Sequence, residues 1–221
     1  MAIDTLDALK AAINDWALRD DLPLDNIISV AESRIWDDLR IREMGCKSIT
    51  TITEPTTVVE TPKRFIDMRR IRLLQGTGGL MLKYTAPDLM PEILGTGLPY
   101  QFTVHVDQIE FDATLQADQQ LEMLFFRAPW PLGIAVPEDM PEAEIPKYST
   151  DAVTVDTNPV LQTRPNIYLW ASLIEVYGRE GADAGEWAVR YKEAVDKANE
   201  SARASQSSGS RRATSTSRGI A

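Results

Sequence analysis

Glu110 and Asp112 come nearest to a catalytic pair by residue type and spacing. They lie two positions apart in Gln108-Ile109-Glu110-Phe111-Asp112, and side chains two apart on a strand share a face. Two carboxyl groups on one face, one protonated and one ionised, are the equipment of glycoside hydrolysis, which would suit an enzyme that opens a cell wall. The flanking sequence offers no aromatic-lined cleft to hold a sugar, so the pair is expected to be a solvated strand face. His105 is the only histidine and Cys46 the only cysteine, too few for a zinc set and none to spare for a disulfide. His105 is expected on the wet face of a strand, and Cys46 as a small, partly buried apolar residue in a reducing compartment. Gly76-Thr77-Gly78-Gly79 has the glycine density of a phosphate loop. It lacks the lysine and the strand-to-helix context, and predicts a hairpin turn instead. No catalytic residue, metal ligand or cofactor is expected.

Charge gives a different kind of candidate. The formal net charge is −10, yet the last 21 residues hold Arg203, Arg211, Arg212 and Arg218 with no acid, so residues 1–200 carry −14. An acidic body argues against nucleic acid as the main partner, because phosphate binding needs a concentrated basic face. The basic tail has three readings: a DNA contact, a strap in an acidic protein groove, or a solubilising end. No apolar run approaches the roughly 18–20 residues of a membrane helix. MAIDTLDALK has no basic stretch followed by an apolar core, so no secretory signal is expected.

These residues need elements to position them. Leu6, Leu9, Ile13 and Trp16 recur at helical spacing and predict a helix over 4–19. Ile28, Ala31, Ile35 and Leu39 predict a second over 25–44, with Gly45 as a left-handed C-cap. From Ser48 the period shifts to two. Strands are expected at 56–60, 69–74, 80–85, 101–106, 109–112 and 121–127, with Ile71 and Leu73 inward and Arg70 and Arg72 wet. Prolines 129, 131, 137, 141 and 146 mark an extended connector. Helix resumes near Thr163 with Ile167, Trp170, Ile174 and Tyr177 as its stripe. A last helix over 183–204 turns Trp187, Tyr191, Val195 and Ala198 inward, and the serine-rich remainder cannot bury a core. The fold class expected is α+β: an antiparallel helical bundle formed by the N- and C-terminal helices, with an inserted antiparallel β-rich domain and an extended C-terminal tail. The expected divisions are 1–47 and 163–204 for the helices, 48–130 for the β-rich domain, 131–162 for the connector and 205–221 for the tail.

Several stretches, taken in order, resemble one family. Leu6-Asp7-Ala8-Leu9 through Trp16 and Arg19-Asp20-Asp21-Leu22 is similar to an opening helix with a "xxWxxRxDL" close. Ile27-Ile28 through Arg34-Ile35 and Leu39-Arg40 is similar to its second helix. Thr61-Pro62-Lys63-Arg64-Phe65, Leu98-Pro99-Tyr100-Gln101-Phe102 and Leu124-Phe125-Phe126-Arg127-Ala128-Pro129 match its strands. Asn158-Pro159-Val160-Leu161 with Arg164-Pro165-Asn166-Ile167-Tyr168-Leu169-Trp170 resembles "NxLLxxxPdlYlyaaL", departing from it at Asn166. The chain thereby resembles the head-to-tail adaptors, or neck proteins, of short-tailed bacteriophages.

That resemblance implies a non-enzymatic virion protein assembled in the host cytoplasm. It implies a homo-oligomeric ring of about twelve copies under the portal protein, tail or nozzle proteins below it, and DNA only passing through the channel, with no membrane contact. A C-terminal extension would reach onto portal subunits, and Arg203, Arg211, Arg212 and Arg218 are its expected anchors, since guanidinium makes paired hydrogen bonds to carboxylates. The alternatives are another neck or tail-tube component, or a virion-associated cell-wall hydrolase using Glu110 and Asp112.

Overall fold

The computed structural model describes residues 2–75, 78–91, 97–135 and 154–215, with side chains of the last helix described as far as Ser205. The chain divides into two compact units. One combines Met1–Met44 with Pro129–Ala221; the other is the continuous stretch Gly45–Ala128.

In the first unit, α1 spans Leu6–Ala17, and Thr5 caps it by accepting the Ala8 N–H at 3.3 Å. Leu9 and Ile13 are fully buried on its inner face. The helix ends at Leu18, which takes the left-handed conformation with φ 55° and ψ 39°. Helix α2 spans Leu24–Asp38 and buries Ile28, Ala31 and Ile35, as their spacing predicts. It stops six residues short of the predicted end. Gly45 is no C-cap but the first residue of a strand, and a 3-10 turn at Arg42–Met44 fills the gap. Tertiary capping explains the early stop. Asn199 donates to the Asp38 carbonyl at 2.9 Å and accepts the Arg40 N–H at 2.8 Å. Arg40 also donates to the Trp36 and Leu39 carbonyls at 2.7 and 2.8 Å. The helix's open carbonyls are therefore satisfied from outside its own ladder.

Helix resumes earlier than predicted, at α3, Pro159–Thr163. Asn158 accepts the N–H groups of Val160 and Leu161, at 3.1 and 2.9 Å. Helix α4, Pro165–Arg179, follows. It packs against α1, α2 and α3, and against α5, which spans Gly185–Ser215. Because α4 is covered on several sides, Tyr168, Leu169, Ala171, Ser172 and Leu173 are buried, while the predicted stripe members Trp170, Ile174 and Tyr177 are only half-buried. The sequence expectation of an extended tail from 205 is corrected as far as Ser215, where the backbone is still helical. Each residue added to an existing helix gains a hydrogen bond without a new nucleus, so a serine- and arginine-rich segment can propagate what it could not start. Residues 216–221, with Arg218, lie outside the described residues, as does the middle of the connector.

The second unit holds two four-stranded sheets. Strands β1 (Gly45–Thr51), β3 (Phe65–Gln75), β4 (Gly78–Met81) and β8 (Gln120–Arg127) make one, in the order β1-β8-β3-β4 and antiparallel throughout. Strands β2 (Thr56–Glu60), β5 (Lys83–Tyr84), β6 (Gln101–Val104) and β7 (Gln108–Leu115) make the other, in the order β2-β7-β6-β5. There β5 pairs parallel to β6, so the stretch 80–85 is two short strands in different sheets rather than one. Ile71, Leu73, Leu121, Met123 and Phe125 from the first sheet and Phe102, Ile109, Phe111 and Leu115 from the second share one core. No strand is expected from the sequence over Gly45–Thr51, where Gly45 reads as a helix cap and the period of two begins only at Ser48.

Candidate functional site

The residues with catalytic potential are all engaged in structural bonds. Asp112 is nearly buried, and its Oδ1 accepts the N–H groups of Tyr100 and Gln101 at 2.9 and 3.1 Å, which fixes the entry to β6. Glu110 Oε2 lies 3.1 Å from His105 Nε2, a partly exposed pair that links the two ends of the β6–β7 connection. Strand β7 does place Glu110 and Asp112 alternately on one face, but their oxygens are turned to different partners. Among the described residues no group of His, Cys, Asp and Glu could hold a metal ion. No helix among them is long and apolar enough to cross a membrane.

The first sheet carries a charge cluster that the sequence reading missed. On the face turned away from the core, the cross-strand register aligns Ile49, Glu122, Arg72 and Met81 in one row, with Lys47, Leu124 and Arg70 in the neighbouring positions. Glu122 is only 6% exposed. Lys47 Nζ approaches its Oε2 at 2.6 Å, while Arg70 and Arg72 approach Oε1 at 3.1 and 3.9 Å. The hydrogen bond from Lys47 outweighs burial and holds the carboxyl below the usual range, with the charges of Arg72 and Arg70 adding to it. Three cations around one anion leave two positive charges on this face. The alternation in Arg69-Arg70-Ile71-Arg72 marks Arg70 and Arg72 as neighbours on one face. The pairing partner could not be read, because it comes from a strand about fifty positions away.

In the helical unit the polar centre is Glu32, 3% exposed on α2. Its Oε1 accepts the Leu132 N–H and the Tyr168 hydroxyl, each at 3.0 Å. Asn158 Nδ2 donates in turn to the Tyr168 hydroxyl at 2.6 Å and to the Trp130 carbonyl at 3.2 Å. Burial pushes the Glu32 carboxyl up from 4.5 to about 7, against the two hydrogen bonds it accepts. Burial and the nearby Glu32 also raise the Tyr168 phenol well above its ordinary value. The network ties the chain at Trp130 and Leu132 to α2 and α4. A signal for it exists in the sequence: Glu32 lies four residues after Ile28 and three before Ile35, on the apolar stripe itself.

Three tryptophans, Trp170 and Trp187 half-buried and Trp16 exposed, meet where α1, α4 and α5 converge. Trp16 lies edge-on to Trp170 and Trp187, with centroids 5.3 and 5.6 Å apart, and Trp170 stacks on Trp187 at 5.6 Å. The Arg190 guanidinium stands 5.4 Å from both of those last rings and bonds Glu186 at 2.6 Å. Of the predicted tail anchors, Arg203 is exposed on α5, the backbones of Arg211 and Arg212 belong to the same helix, and Arg218 lies outside the described residues. Among the described residues the arrangement offers charged and aromatic surfaces.

A family model described as "SU10 adaptor protein" matches residues 4–216. No curated protein matches the chain.

Proposed function

Because the chain belongs to the SU10 adaptor protein family, we propose that it is the structural head-to-tail adaptor of a tailed phage. It forms a ring of about twelve copies below the portal, accepts tail or nozzle proteins on its far side, and lets DNA through the channel without chemistry. The observation that carries this reading is the family match over nearly the whole chain, helices and sheets alike. The structural engagement of Glu110, His105 and Asp112 supports the non-enzymatic part, and hydrolysis by Glu110 and Asp112 loses its motive. The virion neck follows as the place of action.

Within this reading the basic C-terminal segment is the portal contact. Arg203 directly follows Ala202, the last buried residue of α5 among the side chains described. Arg211, Arg212 and Arg218 extend a charge of one sign beyond it, suited to carboxylates on the portal. Electron microscopy of the protein mixed with its portal tests the ring: bound copies arranged about the portal axis are expected, and wild-type protein that leaves portals bare would overturn the adaptor reading. Deleting residues 205–221 is expected to leave a folded, soluble chain whose portal attachment is weakened or lost. Attachment equal to wild type would move the contact to the helical unit.

A further inference from the structure

We propose that the outer face of the β1-β8-β3-β4 sheet is a docking surface for the acidic stripe of α5 on a second copy of this chain. The inference rests on the ring reading above and names the two surfaces that copies would present to each other. The sheet side is built for an anionic partner. Glu122 is buried among Lys47, Arg70 and Arg72 and neutralises one of them, so two positive charges stand unspent in a chain of net charge −10. The Nε atoms of Arg70 and Arg72 are buried and have no hydrogen-bond partner among the described residues. Arg72 is also held in place: a Cβ at Gly79 would lie 2.4 Å from its Cδ, so the arginine stem lies across a strand position that only glycine leaves free. A guanidinium already seated by packing and by Glu122 loses little rotamer freedom when a partner arrives.

The occupant is argued from charge and from the apolar residues that flank the cations. Ile49 and Met81, 54% and 58% exposed, stand at the two ends of the Glu122–Arg72 row. Such a mixed patch suits a protein helix better than a phosphate backbone, and arginine and methionine are enriched in protein interfaces. Helix α5 presents the complement. Glu186, Val189, Glu193, Asp196 and Glu200 recur at steps of three and four residues, all exposed, opposite the buried Tyr191, Val195 and Ala198. Glu186 is held by Arg190, whereas Glu193, Asp196 and Glu200 have no ion-pair partner among the described residues, and Val189 is 58% exposed amid them. Sheet face and helix face differ from each other, so the contact is head-to-tail, the kind that closes into a ring when the rotation allows.

Zero-length carbodiimide coupling tests this on the full chain, because it joins an amine to a carboxylate only where the two touch. Copies labelled with light and heavy nitrogen are mixed at low salt and the cross-linked peptides are identified by mass. Mixed-label links from Lys47 to Glu193, Asp196 or Glu200 are expected, and they should fade at about 1 M salt, where charges are screened beyond roughly 3 Å. Glu193→Lys with Asp196→Lys and Glu200→Lys changes only exposed side chains. It should weaken self-association, read by sedimentation without the cross-linker, about tenfold, as should Lys47→Gln with Arg72→Gln, and the combined variant should lose little more than either set alone, the mark of direct coupling. Circular dichroism checks that each variant is folded. Links that avoid Lys47, same-label links only, or an α5 variant that associates like wild type would overturn the proposal. Binding of a short DNA duplex that is lost with Lys47→Gln and Arg72→Gln would reassign the face to phosphate and overturn it too. Rings on the portal without these links would sink this contact and spare the adaptor reading; the links without portal rings would do the reverse.

Discussion

Glu32 draws both of its described hydrogen bonds from neutral donors, the Leu132 N–H and the Tyr168 hydroxyl, which offset the burial of its charge only in part. Its carboxyl titrates near 7 in the folded chain and near 4.5 when exposed. The folded state therefore holds a proton that the unfolded state releases between those values. The stability from Glu32 is full below about pH 4.5 and is lost as pH rises through 7; the difference amounts to about 3 kcal/mol. Glu32→Gln keeps an acceptor oxygen for both donors and has no charge to bury. It is expected to stabilise the protein at pH 8 and to flatten the stability profile between pH 5 and 8, measured by denaturant titration at several pH values. A variant less stable than wild type at pH 8 would show that the second carboxylate oxygen has a partner the amide cannot keep. The catalytic pair teaches the opposite lesson. Spacing alone placed Glu110 and Asp112 on one face, but which way each carboxyl turned depended on the backbone of Tyr100 and on His105.

At the scale of elements, caps decide where helices begin and end. Asn158 closes the N-terminus of α3 and also donates to Trp130 and Tyr168. Removing it strips a cap, typically worth about 1 kcal/mol, and leaves buried partners unsatisfied at about 1–3 kcal/mol more. Asn158→Ala is expected to lower stability by about 2–4 kcal/mol, and Asn158→Asp to keep the cap but lose the donor bonds. Chemical denaturation of both separates the two roles, and a loss near 1 kcal/mol for alanine would mean the network contributes nothing. Leu18 ends α1 in the left-handed conformation while 88% exposed. A non-glycine residue there costs roughly 1–2 kcal/mol, and no packing is lost on removing an exposed side chain. Leu18→Gly is expected to stabilise by about 1 kcal/mol after glycine's added freedom in the unfolded chain is counted; destabilisation would reveal packing by Leu18.

For the whole molecule, the β-rich stretch begins and ends at neighbouring places. Gly45 pairs with Phe126, Phe65 with Arg127, and the Ala128 N–H donates to the Arg64 carbonyl at 2.9 Å. With its own core and its ends together, Gly45–Ala128 expressed alone is expected to fold cooperatively, checked by a sigmoidal melt and dispersed amide resonances. A molten fragment would show that its core needs the helical unit. The apolar periodicities in the sequence were enough for α1, most of α2, α4 and the strands β2, β3, β6, β7 and β8, because local spacing selects which face each element buries. The α+β class followed from their order. Sequence alone also marked Arg70 and Arg72 as sharing a face. The end of α2 at Asp38, the strand β1, the assignment of β4 and β5 to different sheets, the seating of three cations on Glu122 and the burial of Glu32 were settled only in three dimensions. Apart from the β3–β4 hairpin, these depend on partners further along the chain: Asn199 for α2, β8 for β1 and Lys47, β6 for β5, and Tyr168 for Glu32. A hydrogen bond or a cross-strand pair between remote residues leaves no period in the chain, and only closure of the fold brings its two halves together.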